Sequence, residues 1–441
     1  MSDIIVAGAG IGGLTAAMKL AAAGHSVTVY EKNKKEDCGY EQSDSFDASA
    51  MDYAGIPIPD GYIAPGNEIT FYSIDETVEP ITTPVPANYK NITVERKVLF
   101  AYLASLAEEA GVRFCWETEI KTPLVLGGRV CGIETEQGKI YSDLIIDACG
   151  MNSPLRKNLP GFMQIDKEPG AMNYLHAYRG IFNRVESAET GERYRIYVND
   201  DSGFTWIITE DNCVDVLIVN FSEISYPQVA DRLHKVSALN PQMGKELLRN
   251  GKFMQIPVRQ PLAVMVADGY AAIGDSAFMT YAAKGSGIAY SLKAGTILAR
   301  AVLADADGIY NADTLWKYEE DFFKEVGFDA CRIAMVKNLM PAFSADEVNE
   351  IFKRRLVSSE ELYQLISGQY QKSKLPGMIK DKIKILNELP EFKAQLISLA
   401  GWMGRFAVME PFFPNKYSRK EAAQWRERYN KFFEDQIKLD L

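Results

Sequence analysis

Apolar positions change rhythm along the chain, and each change predicts a type of element. Ile4 to Ala7 is a short apolar run suited to a buried parallel strand, Thr15 to Ala23 is an Ala-rich helix, and Val27 to Tyr30 is a second strand. Gly8-x-Gly10-x-x-Gly13 sits where the first strand becomes the helix. Within residues 172 to 221 the rhythm becomes alternation, in YLHAYRGIF, RYRIYV, FTWIIT and VDVLIVNF, with turn-like clusters between them; this predicts an antiparallel sheet. From about 306 onward apolar residues recur every three or four positions. The tail should therefore be helical, punctuated by Pro341, Pro376, Pro390, Pro411 and Pro414.

The glycine turn has a physical reading. The backbone turns tightly at Gly8, approaches a pyrophosphate at Gly10, and lets helix pack on strand at Gly13, while the helix N-terminus offers N–H donors and a positive dipole end. Glu31, eighteen positions after Gly13, ends the second strand with Lys32 beside it, where a carboxylate can bind the ribose hydroxyls of an adenosine. The pattern alone does not choose between NAD and FAD. A late stretch, GDSAFMTYAAKGSG (274 to 287), makes the choice. A strand from Tyr270 to Ile273 ends in Gly274-Asp275 and is followed by Gly285-x-Gly287-Ile288 and a helix over 286 to 303. In a chain whose first residues bind ADP, this is the second half of an FAD site. Asp275 accepts hydrogen bonds from ribityl hydroxyls, and the helix N-terminus stabilises negative charge at the N1/O2 edge of a reduced flavin.

The expected fold is α/β. A Rossmann-like FAD-binding domain is assembled discontinuously from 1–60, 90–165 and 255–305. An antiparallel-sheet substrate domain is inserted from 61–89, which is rich in Pro and Gly, and 166–254, and 306–441 forms a C-terminal helical domain.

Composition narrows the partners. Lys and Arg total 48 against 59 Asp and Glu, a formal net charge of −11, so nothing favours a nucleic-acid surface. The opening MSDIIVAGAG shows no basic n-region and no cleavage site, which predicts a cytoplasmic protein. No uncharged apolar run reaches the roughly 18 residues of a span, so any membrane contact should be peripheral. Six cysteines (Cys38, Cys115, Cys131, Cys149, Cys213, Cys331) make no C-x-x-C pair, which argues against a cluster or zinc site.

Over residues 1 to about 305 the sequence resembles the FAD-dependent class that contains the aromatic hydroxylases and the geranylgeranyl reductases. Arg96 in TVERKVLFAYLASLAEEAG resembles the arginine that opens a helix in that class and contacts the flavin. IDACGMNSPLR, with Asp147 to Arg156, resembles its DADGxxSxxR segment, and SGFTWIITEDNCVDVLI resembles the reductases' YxWxFP segment. There are departures: Cys149-Gly150 replaces DG, Ala282 replaces the proline of the flavin turn, and Ala289 replaces the hydroxylases' asparagine. Phe204 stands for Tyr, and Ile208-Thr209 for Phe-Pro.

The resemblance implies reduction of carbon–carbon double bonds of a prenyl or other apolar substrate, with electrons from NAD(P)H or a small redox protein. It also implies a Cys-Gly near the flavin, here Cys38-Gly39, whose thiol either donates a proton or merely belongs to a loop. Tyr281, in the flavin turn, donates a proton or packs. Phe204 and Trp206 share one face of a strand, where they line a substrate pocket or fill a sheet core. The three histidines (His25, His176, His234) support no triad or metal site. The apolar, aromatic segment 396 to 414 is either a core helix or the wall of a lipid tunnel or a membrane-facing lip. Rival activities are a flavin monooxygenase and a quinone-linked electron-transfer dehydrogenase; a flavin-binding module without chemistry is the non-enzymatic alternative.

Overall fold

The first strand, Asp3–Ala7, is buried on both faces because it lies inside a six-stranded sheet. In spatial order this sheet runs Val266–Ala267, Tyr270–Ala272, Leu144–Asp147, Asp3–Ala7, Ser26–Tyr30 and Arg113–Cys115, parallel except for its outermost hairpin. The computed structural model describes residues 1–62, 68–75, 77–84, 91–168, 174–185, 193–198, 203–338, 341, 343–367 and 386–439; Pro376 lies outside them.

The helix after the glycine turn spans Ile11–Ala22 and so begins four residues earlier than its apolar rhythm predicts. The glycines there do not break the helix. They sit in its first turn because a Cβ on Gly13 would stand 2.7 Å from the Ala148 Cβ. A second long helix, Ile288–Ala304, crosses the first closely, and a Cβ on Gly295 would lie 2.6 Å from the Gly12 carbonyl oxygen.

The four alternating segments form Tyr174–Arg184, Tyr194–Val198, Phe204–Thr209 and Cys213–Asn220. They belong to a seven-stranded sheet that Met243–Pro257 extends at one edge and Glu68–Tyr72 with Ile81–Pro84 extends at the other. It is not wholly antiparallel, since Tyr194–Val198 runs parallel to Glu68–Tyr72. Two smaller sheets complete the β structure of the described residues: a meander of Ile120–Leu126, Arg129–Thr135 and Gly138–Tyr141, and the pair Ser43–Asp47 with Asn91–Glu95.

The tail is helical, with a π-turn at Phe323–Gly327 between Ala312–Phe322 and Phe328–Asn338. Phe323, Phe413, Trp425 and Tyr429 interlock there, with centroid separations from 5.0 to 6.1 Å. Of the segment 396 to 414, Trp402, Phe406, Met409 and Phe413 are buried, while Ile397, Val408 and Phe412 face outward. The helix Pro390–Met409 is thus a core element on one side, and among the described residues its other side exposes Ile397 and Val408 beside the charged Glu391 and Arg405.

One buried acid ties the tail to the sheet. Glu319 accepts hydrogen bonds from the Met265 and Val266 N–H groups, and its second oxygen, Oε2, has no partner among the described residues. Burial pushes its carboxyl up to about 8, against the downward pull of the two N–H groups. Between its unfolded value and about 8 the folded chain holds a proton that the unfolded chain releases, so stability should fall as pH rises through this window. Glu319→Gln keeps an acceptor and does not ionise. Its melting temperature relative to wild type should rise from about pH 5 to about pH 8; a pH-independent difference would show that the proton is not held there.

Candidate active site

The C-terminal ends of the central strands face the large sheet across a cavity of ≈ 650 Å³. Gly10 and Glu31 line one part of it, Asp275 and the turn before Ile288 line another, and Trp206, Ile208, Leu217, Met254 and Ile256 form an apolar wall.

The glycine turn is built for close approach. Gly8 has φ +88, and its N–H donates to the Tyr30 carbonyl at 2.8 Å. Gly10 has an ordinary φ of −68, so what matters at this position is space. A Cβ there would meet the Ala148 oxygen at 3.1 Å, with only the Ala148 Cβ also within 4 Å, and Gly10 otherwise borders the cavity. Neither Ile11–Ala22 nor Ile288–Ala304 has a side-chain cap on its N-terminal N–H groups, and both helices begin at the cavity. Two sets of helix N-terminal donors without a side-chain cap among the described residues therefore face the same space, which suits a ligand with a pyrophosphate and a second electron-rich end.

Glu31 is nine-tenths buried and held rigidly. Its Oε2 accepts from the Ala9 N–H at 2.9 Å, and its Oε1 accepts from the Asn33 N–H at 3.0 Å and Nδ2 at 2.8 Å. Lys32 lines the same end. Asp275 lies in the tight turn Gly274–Ala277, where Thr280 Oγ1 donates to it at 3.3 Å. Burial holds its carboxyl above the ordinary carboxylate range, partly offset by Arg96 and the Thr280 hydroxyl. A Cβ on Gly285, which has φ +68, would stand 2.8 Å from Ile256 Cγ2, so the turn rests on the large sheet.

Of the residues singled out from the sequence, Gly10, Glu31, Lys32, Cys38, Arg96, Trp206, Gly274, Asp275, Gly285, Gly287 and Ile288 border this one cavity. Gly8 and Gly13 pack behind it against Ala148. Phe204 and Tyr281 are not brought to it. Both are buried in an apolar cluster with Ala177, Val219 and Ile333, and Tyr281 meets Tyr290 edge-on at 6.0 Å while its backbone closes the turn onto Ser286. Trp206 packs on that cluster and also reaches the cavity, and its Nε1 has no acceptor among the described residues. The Cys38 Sγ donates to the Lys34 carbonyl at 3.2 Å; burial, followed by Glu31, Asp37 and Glu36, pushes the thiol up to about 12. The segment Asp147 to Arg156 has a supporting role. Buried Asp147 accepts from Tyr270 OH at 2.6 Å and Ser276 Oγ at 3.0 Å, and Arg156 NH1 donates to the Ser276 carbonyl at 2.6 Å, which pins the Asp275 turn from behind.

The sequence reading missed a charged group at the centre. Arg179 pairs with Asp215 (NH2 to Oδ2, 2.6 Å) and Asp44 (NH1 to Oδ1, 3.0 Å), and Arg96 reaches the same Asp44 at 3.3 Å. Lys284 donates to the Ser45 carbonyl at 3.3 Å, and burial pulls its ammonium down to about 8 although Asp44 and Asp47 oppose this. All except Asp47 border the cavity.

Asp275→Ala should weaken FAD binding by about 1–3 kcal/mol, because the hydroxyls it would accept lose their partner. Wild-type affinity should also fall on acidification before an ordinary carboxylate would protonate, since the carboxyl is raised, while Asp275→Asn should show no such fall. Titration of apoprotein with FAD against pH checks both, and an unchanged dissociation constant removes Asp275 from the site.

Comparison with known proteins supports an FAD-dependent oxidoreductase. Residues 3–59 match the family described as FAD dependent oxidoreductase. The digeranylgeranylglycerophospholipid reductase of Sulfolobus acidocaldarius is 23% identical over 96% of this chain and 95% of its own length. A probable electron transfer flavoprotein-quinone oxidoreductase of Escherichia coli is 22% identical over 87% of this chain and 97% of its own. The crystal structure of a geranylgeranyl bacteriochlorophyll reductase-like protein from Thermoplasma acidophilum superposes with TM-score 0.72 at 19% identity, covering 87% of this chain and 98% of that one. The resemblance thus extends well beyond residue 305 into the helical tail, and the fold is shared.

Proposed function

We propose that this chain, an FAD-dependent oxidoreductase with the architecture of the geranylgeranyl reductases, reduces carbon–carbon double bonds of a prenyl or other apolar substrate. The observation that carries the reading is the continuity of one cavity from the Gly10 and Glu31 end to an apolar wall on the large sheet. The curated relative of similar length, whose name specifies a prenyl-lipid reductase, supports it.

FAD supplies hydride chemistry when bound. The chain's own residues divide the remaining work. Gly10 and the bare helix N-terminus at Ile11 receive the pyrophosphate, Glu31 the adenosine ribose, and Asp275 the ribityl hydroxyls. Trp206, Ile208, Leu217, Met254 and Ile256 exclude water and hold an apolar chain in place. Cys38 keeps a proton on Sγ throughout the working range, since its thiol is held up at about 12.

The test is anaerobic photoreduction of the holoprotein followed by mixing with a prenyl lipid, a quinone or oxygen. Reoxidation by the prenyl lipid with loss of the double bond is expected. Reoxidation by quinone alone would replace this reading with that of a quinone-linked dehydrogenase, and fast oxidation by oxygen only with an aromatic substrate present would make it a hydroxylase.

A further inference from the structure

Lys284 is a half-buried cation on the cavity wall that the proposed reduction does not use. The only hydrogen bond of its ammonium among the described residues is the one to the Ser45 carbonyl at 3.3 Å, and no carboxylate there comes within salt-bridge distance. The charged groups around it are otherwise engaged. On the strand Ser43–Asp47, Asp44 is shared by Arg179 and Arg96, and Asp47 accepts the Ser49 N–H at 2.9 Å. On the large sheet, Asp215 is taken by Arg179, and in the turn Asp275 accepts from Thr280. A desolvated ammonium without a counterion is costly unless an anionic ligand arrives. It stands immediately before Gly285 and the uncapped helix at Ile288, and it lines the same cavity as Asp275, Gly10 and Glu31. A dinucleotide with its adenosine at Glu31 brings its ring end to this turn.

We propose that Lys284 compensates charge at the ring end of the bound dinucleotide, holding electrons there and raising the midpoint potential. When a two-electron donor delivers two electrons and one proton to the ring, one negative charge remains; Lys284 keeps all its N–H bonds and meets that charge electrostatically. The proposal rests on FAD binding and not on the identity of the substrate, so it survives if the alkene reading fails.

The test is potentiometry of the holoprotein with a reference dye, for wild type, Lys284→Met and Lys284→Arg. At neutral pH and below, Lys284→Met should lower the ratio of reduced to oxidised flavin at a fixed ambient potential by about tenfold or more, about 30 mV for a two-electron couple. The gap should close as pH rises past about 8, because wild type then loses the same charge. Lys284→Arg should keep the wild-type potential and hold it to higher pH. Equal potentials for wild type and Lys284→Met at all pH values overturn the proposal. So does loss of FAD from Lys284→Met, which would make the lysine a cofactor anchor. A wild-type chain that binds no FAD would instead defeat the cofactor assignment itself.

Discussion

Gly10→Val should purify colourless and stay so when titrated with FAD, while its far-ultraviolet spectrum and cooperative melting remain those of a folded chain. The backbone there has φ −68 and ψ 155, which valine adopts without strain, so the substitution tests space and not conformation. The added Cβ meets the Ala148 oxygen at 3.1 Å and must displace it by a few tenths of an ångström; the two further methyl groups then occupy the cavity where a phosphate has to reach the N–H groups of Ile11–Ala22. Losing the pyrophosphate contacts removes several charge-assisted hydrogen bonds at once, each worth about 1.5–3 kcal/mol, so binding should fall by three or more orders of magnitude. Gly10→Ala, with one methyl group, should retain measurable affinity. If Gly10→Val retains full yellow colour, the first glycine turn is not the phosphate site and the cavity must be filled in another direction.

Both turns were legible in the sequence because their logic is local. Strand, glycines, helix and acid follow one another within 31 residues, and Gly274-Asp275 with Gly285-x-Gly287 lies within 14. The strands of the large sheet were legible for the same reason, since alternation over a few residues is enough to define a face. Alternation does not tell where along the face a residue falls. Phe204 and Trp206 share a face, yet only Trp206 extends to the cavity, while Phe204 is buried in a cluster that also draws Ile333 from the distant tail. The charged centre was illegible because its partners are far apart in the chain: Arg179 meets Asp215 at a separation of 36 residues and Asp44 at 135, and Lys284 meets Ser45 at 239. No short-range pattern marks such groups. An isolated Lys inside a glycine-rich turn was the one available signal, and it reads equally well as an ordinary solvated side chain.

Cys38→Ala should bind FAD and accept electrons normally, yet reduce alkene at least about a hundredfold more slowly, if the thiol belongs to the proton path of the proposed reaction. Its position permits this: Cys38 borders the cavity on the Arg96 side, and among the described residues its Sγ–H is committed only to the Lys34 carbonyl at 3.2 Å. A thiol held up at about 12 stays protonated at every working pH, so it can give a proton but cannot by itself make the rate fall near neutrality. Two groups in one cavity can therefore be told apart. A change with pH near 8 belongs to Lys284, and a pH-independent loss in the variant belongs to Cys38. Cys38→Ser, which keeps a hydroxyl donor in the same place, should recover part of the rate. The competing role is mechanical. Gly39 has φ +79 and passes so close to the Arg96 carbonyl that a Cβ would stand 2.9 Å from its oxygen, so the loop Asp37 to Gln42 is already pressed against the helix that Arg96 opens. If the cysteine only seals that contact, both variants should loosen FAD to the same extent and turn over normally per bound flavin. Stopped-flow measurement of the reductive and oxidative half-reactions, with bound flavin quantified in each variant, decides between them, and a Cys38→Ala protein normal in both halves would end the proton assignment.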